Sequence, residues 1–347
     1  MTKRNLRLIV GLVAPALLLA ACGSSSTSGS KSLTGAGSTL VAPLVSVWQP
    51  EYLKEKGVSV AYSAIGSGGG IAQITARTVN FGASDAPLTE DQFKEATKEG
   101  VKVVQIPWAL AATCIAYNVP GVPNQLKLTG PVLAEIFMGK ITTWNDPKIR
   151  ALNPGVSLPS MKITPVYRTD GSGDTFALTN YLSQISPQFK EQIGRSTQVH
   201  WPVGIGGKGN AGIGGALKAT PGSIGYIAIA YVLAEEFHYA LIQNAAGKYP
   251  VPGIPSISAA ARVLKEVPAN NEVSIVNPPS SAPEAYPIST FTYALVPLKE
   301  ANASTLKAFL KWAITTGQRF APKLDFAPLP EAVIKADEAT IERVQNG

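Results

Sequence analysis

Three short turns, rich in glycine and in hydroxyl or carboxyl side chains, each precede a segment with helical spacing. They span residues 35–39, 66–70 and 170–174. The first backbone N–H groups of a helix have no partner within it, and the helix dipole is positive there, so such turns favour negative charge. One turn alone indicates an ordinary N-cap, because Ser, Thr, Asp and Gly are the usual capping residues. Three of them predict a small oxyanion enclosed on several sides.

Strand, turn, helix and strand alternate along the chain, which is typical of a parallel α/β sheet. Residues 58–65 are strand-like and lead into the second turn, and residues 79–85 form a strand that ends on a carboxylate. Residues 162–169 are strand-like before the third turn, whereas the glycine-rich residues 203–215 are predicted to be a loop. Without its leader the chain still exceeds about 300 residues, more than one core usually supports, so we expect two lobes.

The first 21 residues predict an export signal. Basic residues precede an apolar stretch from 8 to 21 that is short for a membrane span. Cys22 follows Leu-Ala-Ala, an ending that resembles the lipobox of bacterial lipoproteins and implies cleavage before Cys22 and lipidation of its thiol. The alternative is a plain signal peptide with an incidental cysteine. Residues 22–32, mostly Gly, Ser and Thr, predict a flexible tether.

The numbers of cysteines and histidines and the distribution of charge argue against several classes of protein. If Cys22 is acylated, Cys114 is the one cysteine left, so we expect no intrachain disulfide and a buried, apolar role for Cys114. Two histidines and no clustered cysteines argue against a zinc site. The net charge of +7 includes three basic residues of the leader, and the charges are scattered. Scattered charge without a basic stripe argues against a nucleic-acid partner.

Motifs for cofactors and for covalent catalysis match poorly. Gly204, Gly206 and Gly209 fit the dinucleotide pattern, but no clean strand precedes them and the acidic residue expected about 20 positions later is missing. The same segment fails as a Walker A loop, because Pro202 stands where its first glycine belongs. Ser172 lacks the spacing of a nucleophile elbow. We therefore predict no cofactor and no catalysis.

Three charged residues lie close to the predicted anion site, at the end of a strand or at the third turn. Arg168 lies two residues before the third turn, and its planar guanidinium suits two parallel bonds to an oxyanion. Asp85 and Asp170 would repel an anion unless Asp170 orients Arg168 and Asp85 accepts a proton from the ligand. Phosphate carries such a proton at neutral pH and sulfate does not.

Six separate segments carry a resemblance to a known family. They look like the substrate-binding protein of the phosphate ABC transporter, in order and across nearly the whole mature chain, at residues 32–39, 65–70, 81–88, 139–146, 170–176 and 201–210. The resemblance implies an α/β, two-lobed periplasmic-binding-protein fold of type II, a Venus flytrap with mixed sheets flanked by helices.

The resemblance also implies a set of phosphate contacts. By position, they are Thr39, Leu40, Ser67, Asp85, Arg168, Ser172 and Gly173. Asp85 would accept the phosphate proton, and Asp170 would orient Arg168. Asp174 replaces the Thr that many members have, which adds a second carboxylate; the alternative is that Asp174 only caps the helix and points away from the ligand.

The resemblance implies an organisation and a role that the residues alone do not give. One lobe would comprise 33–110 and 290–347, the other 115–285, with hinge strands near 108–117 and 286–292. The chain would be an exported, monomeric lipoprotein that binds inorganic phosphate with high affinity and delivers it to the permease subunits of an ABC transporter. An exported phosphatase, a receptor-coupled sensor and a binder of another oxyanion are the alternatives.

Overall fold

The computed structural model describes residues 32–97 and 100–347, so the predicted signal, Cys22 and all of the tether except Ser32 lie outside the described residues. Within them, a mixed sheet runs in the order β2-β1-β3-β11-β4-β8-β6-β7, with β9 also on β4, and β10 pairs with β5 separately. The strands are β1 (Ser32–Gly37), β2 (Ser59–Ala64), β3 (Phe81–Ser84), β4 (Val103–Asn118), β5 (Lys127–Leu128), β6 (Thr164–Arg168), β7 (Ile205–Gly207), β8 (Ser223–Ala228), β9 (His238–Tyr239), β10 (Leu241–Ile242) and β11 (Ser289–Pro297).

Helices connect the parallel strands, as parallel pairing requires. Thus α1 and α2 follow β1 and β2, and α6 and α8 follow β6 and β7. The helices are α1 (Ala42–Lys56), α2 (Ser67–Thr75), α3 (Glu90–Ala96), α4 (Gly130–Phe137), α5 (Pro147–Leu152), α6 (Gly173–Ile185), α7 (Pro187–Gln192), α8 (Gly209–Ala219), α9 (Ile229–Ala234), α10 (Ile254–Ala261), α11 (Ala303–Ile314) and α12 (Glu331–Glu342), with a 3-10 helix at Thr316–Leu324. None of the helices in the described ranges has the length and apolar character needed to cross a bilayer.

The strand β4 joins the two halves of the sheet. Its first part, residues 103–112, pairs antiparallel with β11, and residues 113–118 pair antiparallel with β8. On the β11 side, β3 is antiparallel to β11, and β1 is parallel to both β2 and β3. On the β8 side, β6 is parallel to β8 and to β7. The predicted hinge segments fall on β4 and around the start of β11, and the residue limits of the lobes stay predictions.

The strands at the centre of the sheet are buried on both faces. All nine residues of β11 and all six of β8 are buried, and β4 is buried at nearly every position. Both faces of these strands are covered, so polar residues of β11 such as Thr290 and Thr292 are buried together with the apolar ones. Cys114, on β4, is fully buried, as its apolar neighbours predicted.

Two local predictions were wrong. Residues 203–215 are not a loop: they contain β7 and the larger part of α8. Glycine is a poor helix former, so the glycine-rich composition did not indicate a helix here. Close packing nevertheless requires glycine, because a Cβ on Gly207 would lie 2.6 Å from the backbone carbon of Gly212. The first predicted turn, 35–39, is partly strand, because β1 continues through Gly37.

Candidate functional site

The predicted site residues lie together at the ends of strands and in the first turns of helices. Thr39 and Leu40 follow β1, Asp85 follows β3 directly, and Arg168 is the last residue of β6. Parallel strands place their carboxyl ends at one edge, where the following helices begin. All the predicted contact residues are buried, namely Thr39, Leu40, Ser67, Asp85, Arg168, Ser172, Gly173 and Asp174.

Close backbone packing brings α2 against the strand ends. A Cβ on Gly70 would lie 2.6 Å from Ala83 O and 2.7 Å from Ala36 O, which belong to β3 and β1. Only glycine fits at such an approach. The first helix differs: α1 has Val41 as its N-cap, without a side-chain cap, and the N–H of Leu40 donates to Ser38 Oγ at 3.0 Å. Thr39 therefore precedes the cap of α1.

Arg168 and Asp170 form a buried ion pair with two hydrogen bonds. Arg168 Nε donates to Asp170 Oδ1 at 2.8 Å, and Nη2 donates to Oδ2 at 2.6 Å. Gly209 N, at the start of α8, also donates to Asp170 Oδ1 at 2.9 Å. Burial raises the pKa of Asp170, but the hydrogen bonds and charge of Arg168 outweigh it and leave that pKa below its usual value.

Asp85 is a buried carboxylate surrounded by hydroxyl groups. Oδ1 accepts from Ser38 Oγ at 2.6 Å and from Thr292 Oγ1 at 2.7 Å, and Oδ2 accepts from Ser67 Oγ at 3.4 Å. Burial, and then the charge of Asp174, raise the pKa of Asp85 to about 7, against the opposing effect of the Ser38 and Thr292 hydrogen bonds. Burial and the neighbouring carboxylate therefore disfavour the charge on Asp85, and a proton supplied by a ligand would relieve this.

Asp174 is turned into the site and does not cap its helix. Ser172 is the N-cap of α6 and accepts from Thr175 N at 3.3 Å. Asp174 Oδ2 accepts from Arg168 Nη1 at 3.1 Å, and Asp174 Oδ1 accepts from Thr113 Oγ1 at 2.7 Å. Burial raises the pKa of Asp174, and the Arg168 charge and the hydrogen bonds only partly offset this.

The first turns of α2 and α6 meet directly. Gly173 N donates to Ser67 Oγ at 3.0 Å, and Gly68 N donates to Gly171 O at 2.9 Å. A Cβ on Gly173 would lie 2.2 Å from Asp85 Cβ, closer than real Cβ contacts. Glycine at 173 is therefore required for the first turn of α6 to approach Asp85 this closely.

Several side chains of the site were missed from the sequence. They are Ser38, Thr113, Asn210, Tyr226 and Thr292. Ser38 and Asn210 lie inside the six similar segments, which was a usable signal. The other three are on β4, β8 and β11, and their contacts depend on strand register, which local sequence does not reveal.

The residues suit an anion that both accepts and donates hydrogen bonds. One guanidinium and several hydroxyl and amide groups are donors, while Asp85 and Asp174 are acceptors when ionised. Two carboxylates in a buried site disfavour each other's charge, so protons on the ligand relieve the repulsion. Within residues 32–97 and 100–347, no group of three or more His, Cys, Asp and Glu side chains is arranged to hold a metal ion.

Comparison with known proteins gives consistent similarities. Residues 23–316 match the PBP superfamily domain. The chain is 41% identical over 311 residues to the phosphate-binding protein PstS of Xylella fastidiosa (strain Temecula1), across 88% of this chain and 84% of that protein. It is 40% identical over 308 residues to PstS of Haemophilus influenzae, across 87% and 90%.

Solved structures are similar in fold. A phosphate binding protein from Stenotrophomonas maltophilia superimposes with a TM-score of 0.68 at 20% identity, across 89% of this chain and 93% of that one. A human phosphate binding apolipoprotein gives a TM-score of 0.71 at 21% identity, across 88% and 93%. At such low identity the likeness concerns the fold alone. With the superfamily match, it confirms the predicted two-lobed α/β fold with a mixed sheet flanked by helices.

Proposed function

This chain belongs to the PstS family of phosphate-binding proteins, within the PBP superfamily, and on that premise we propose that it captures inorganic phosphate outside the cytoplasm and passes it to an ABC transporter permease. The family was predicted from the six sequence segments, and that prediction is confirmed. Proteins of this family bind and do not catalyse, so the prediction that the chain is not an enzyme is confirmed as well.

The observation that carries the proposal is the buried Arg168, whose guanidinium is fixed by Asp170 and directed at Asp174. A guanidinium held in one plane makes strong, directed bonds to a tetrahedral oxyanion. In the proposed complex the ligand displaces the contacts that the site residues now make with each other. Gly173 N then turns from Ser67 to a phosphate oxygen, and Arg168 Nη1 turns from Asp174 to another.

The proposed site is lined from both lobes. We assign residues 33–110 and 290–347 to one lobe and 115–285 to the other, with hinges near 108–117 and 286–292. Closure of two lobes around a ligand excludes water, which strengthens each hydrogen bond to it. The proposed phosphate contacts are those of the sequence prediction, namely Thr39, Leu40, Ser67, Asp85, Arg168, Ser172, Gly173 and Asp174, with Asp170 behind Arg168.

Selection of phosphate over sulfate follows from the two carboxylates. A protonated phosphate donates a hydrogen bond to Asp85, whereas sulfate at neutral pH has no proton to donate and is repelled. Asp174 adds a second acceptor, so the proposed ligand is the more protonated form, dihydrogen phosphate. We also propose that the chain binds phosphate with high affinity.

The proposed location follows from the leader. We propose that the chain is exported, cleaved before Cys22 and anchored by a lipid on that thiol, and that it acts as a monomer. The basic start, the apolar stretch and the Leu-Ala-Ala-Cys ending support this. Mass spectrometry of the protein purified from membranes tests it: we expect an acylated Cys22 as the first residue.

Calorimetric titration of the purified chain with inorganic phosphate tests the proposed function. We expect one phosphate per chain and weak competition by sulfate. Turnover of a phosphate monoester by the same preparation would instead favour the exported phosphatase, and comparable affinities for sulfate and phosphate near neutral pH would favour a general oxyanion scavenger.

A further inference from the structure

Asn210 is a fully buried side chain at the centre of the site, and it was not among the predicted contacts. It is the second residue of α8. Its backbone N–H and its Nδ2 both donate to Thr39 Oγ1, at 3.3 and 2.9 Å, and Nδ2 also donates to Asp174 Oδ2 at 2.9 Å. One amide group therefore joins a hydroxyl that follows β1 to a carboxylate in the first turn of α6.

A further contact fixes which way the Asn210 amide faces. The backbone N–H of Ala228, at the end of β8, donates to Asn210 Oδ1 at 2.8 Å. The reversed amide would place its NH2 group against this N–H and its oxygen against the Asp174 carboxylate, and both contacts would be repulsive. The NH2 group therefore faces Thr39 and Asp174.

The contacts of Asn210 leave the Thr39 hydroxyl with a single role. A hydroxyl group has one proton to donate and two lone pairs that accept. Both lone pairs of Thr39 Oγ1 accept from Asn210, and no described residue lies in position to accept the Thr39 proton. Thr39 is therefore available to a ligand only as a donor, which suits an unprotonated anion oxygen.

Asn210 also acts on the other side of the site, at Asp174. The carboxylate receives three hydrogen bonds, from Thr113 on Oδ1 and from Arg168 and Asn210 on Oδ2. Donors to a carboxylate stabilise its ionised form, which only accepts hydrogen bonds, whereas the protonated form also donates one. When Arg168 Nη1 turns to the ligand in the proposed complex, Asn210 still donates to Oδ2, and one lone pair of Oδ2 becomes available to accept a ligand proton.

We propose that Asn210 is a positioning residue that sets the ligand specificity of the site, a role that rests on the proposed function. By donating to both Thr39 and Asp174, it makes Thr39 a donor and Asp174 an acceptor. The site then selects a tetrahedral oxyanion with a bare oxygen toward Thr39 and a hydroxyl toward Asp174. Protonated phosphate and arsenate have this chemistry, and sulfate does not.

Two substitutions separate this role from simple filling of space. Asn210→Asp keeps the shape and the acceptor for Ala228 N–H, but it draws the Thr39 proton away from the ligand and repels Asp174. We expect it to weaken phosphate binding about a hundredfold or more. Asn210→Ala removes both donors without adding charge, and we expect a loss of about tenfold.

Asn244 provides a matched control, because it is also a buried asparagine whose Nδ2 donates to two groups, Pro283 O at 2.8 Å and Ala285 O at 3.1 Å. Asn244→Ala is expected to lower the melting temperature of the chain and to leave phosphate affinity as in the parent. Thermal melting of each variant shows that it is folded before titration. If Asn210→Asp does not fold, the phosphate and sulfate affinities of Asn210→Ala test the proposal.

The test is calorimetric titration of the full chain and its variants with inorganic phosphate and with sulfate. We expect the ratio of phosphate to sulfate affinity to fall in both Asn210 variants, because a protonated Asp174 donates to sulfate. Equal losses for both anions, or an Asn210→Asp variant with parental phosphate affinity, would overturn the role of Asn210. Absence of phosphate binding by the parent chain would instead contradict the proposed function itself.

Discussion

Arg168 donates from Nε and Nη2 to the two carboxylate oxygens of Asp170, at 2.8 and 2.6 Å, in a pair almost closed to solvent. Two parallel bonds fix the plane of the guanidinium. Its remaining nitrogen, Nη1, is thereby directed at Asp174. A ligand that reaches Arg168 meets a cation whose orientation is already set, so little conformational freedom is lost on binding.

Removal of the Arg168 charge is expected to weaken phosphate binding strongly. Arg168→Ala leaves Asp170 and Asp174 without their cation, and truncation of such a buried pair typically costs about 2–5 kcal/mol. Arg168→Lys should recover only part of this loss, because one ammonium group does not make two parallel bonds to Asp170. Calorimetric titration measures the phosphate affinity of both variants. Arg262→Ala, at a largely exposed arginine 4.0 Å from Glu284, is the control and should bind as the parent does. Parental affinity in Arg168→Ala would contradict the site.

Asp85 is expected to discriminate against sulfate. Asp85→Asn keeps the shape of the side chain, but its NH2 group donates to an anion, whereas the carboxylate accepts. Phosphate binding should weaken, sulfate binding should strengthen, and the ratio of the two affinities should fall. Competition titrations measure this ratio. Asp91→Asn, at an almost fully exposed carboxylate, is the control. An unchanged ratio in Asp85→Asn would remove Asp85 from the selection of the ligand.

Asp174 is expected to make phosphate binding depend on pH. Two ionised carboxylates each need a ligand proton, and dihydrogen phosphate has two while the dianion has one. Binding should therefore weaken as the pH rises through the second ionisation of the ligand, which lies near 6 for a phosphate monoester and is somewhat higher for free phosphate. Asp174→Thr should flatten this dependence.

Titration of phosphate into both proteins from about pH 5 to 8.5, which brackets this ionisation, measures the effect of Asp174. Thr113 and Arg168, which contact the carboxylate, stay in place in the variant. Equal pH profiles for the parent and Asp174→Thr would mean that Asp174 takes no proton from the ligand and has a structural role only.

Gly173 is expected to be irreplaceable because α6 approaches Asp85 so closely. A Cβ on Gly173 would lie 2.2 Å from Asp85 Cβ and 2.4 Å from its Oδ2. Gly173→Ala should separate these groups and weaken phosphate binding by at least about tenfold, the loss of one good hydrogen bond to a charged group. Gly215→Ala is the matched control in α8, where an added Cβ meets no described atom within 4 Å. Similar affinities in the two variants would contradict the required approach.

Asp337 is expected to make the chain less stable as the pH rises. It is fully buried on α12, and neither carboxylate oxygen has a hydrogen-bond partner among the described residues. Burial raises the pKa of Asp337 well above its usual value, so the folded chain holds a proton that the unfolded chain releases above about pH 4. The free energy of unfolding should fall as the pH rises from there toward the raised pKa.

Asp337→Asn removes this ionisation and should be more stable than the parent at neutral pH, with a smaller difference near pH 4. Urea unfolding at several pH values measures it. Glu338→Gln, at an exposed neighbour on the same helix, should leave the pH dependence unchanged. A parent chain whose stability does not fall with pH relative to Asp337→Asn would show that Asp337 ionises freely in the fold.

Local sequence was sufficient where chemistry and secondary structure coincide. Asp85 and Arg168 stand at the ends of recognisable strands, and Ser172 caps a clear helix, so their meeting at one edge of the sheet followed from the strand–helix pattern. The pattern also gave most of the longer strands, including β4, whose buried residues form a nearly continuous apolar run. The resemblance to the phosphate-binding family added which residues of the three turns contact the ligand, and hydrophobic periodicity does not supply this.

Other parts of the site depend on tertiary packing and were not predictable from local sequence. Thr113 and Thr292 bond Asp174 and Asp85 from β4 and β11, and their positions depend on the register of two antiparallel strands. The helix α8, which carries Asn210, was hidden by its glycines, because propensity disfavours the helix that packing stabilises. Asn210 was therefore read as part of a loop.

A crystal structure of the chain grown with inorganic phosphate tests the central claim most directly. The account predicts one phosphate between the two lobes, with its oxygens about 2.7–3.2 Å from Arg168, from the Thr39 and Ser67 hydroxyls and from Asp85. Phosphate bound elsewhere on the chain, with Arg168 still paired to Asp174 and Gly173 N still donating to Ser67, would contradict it.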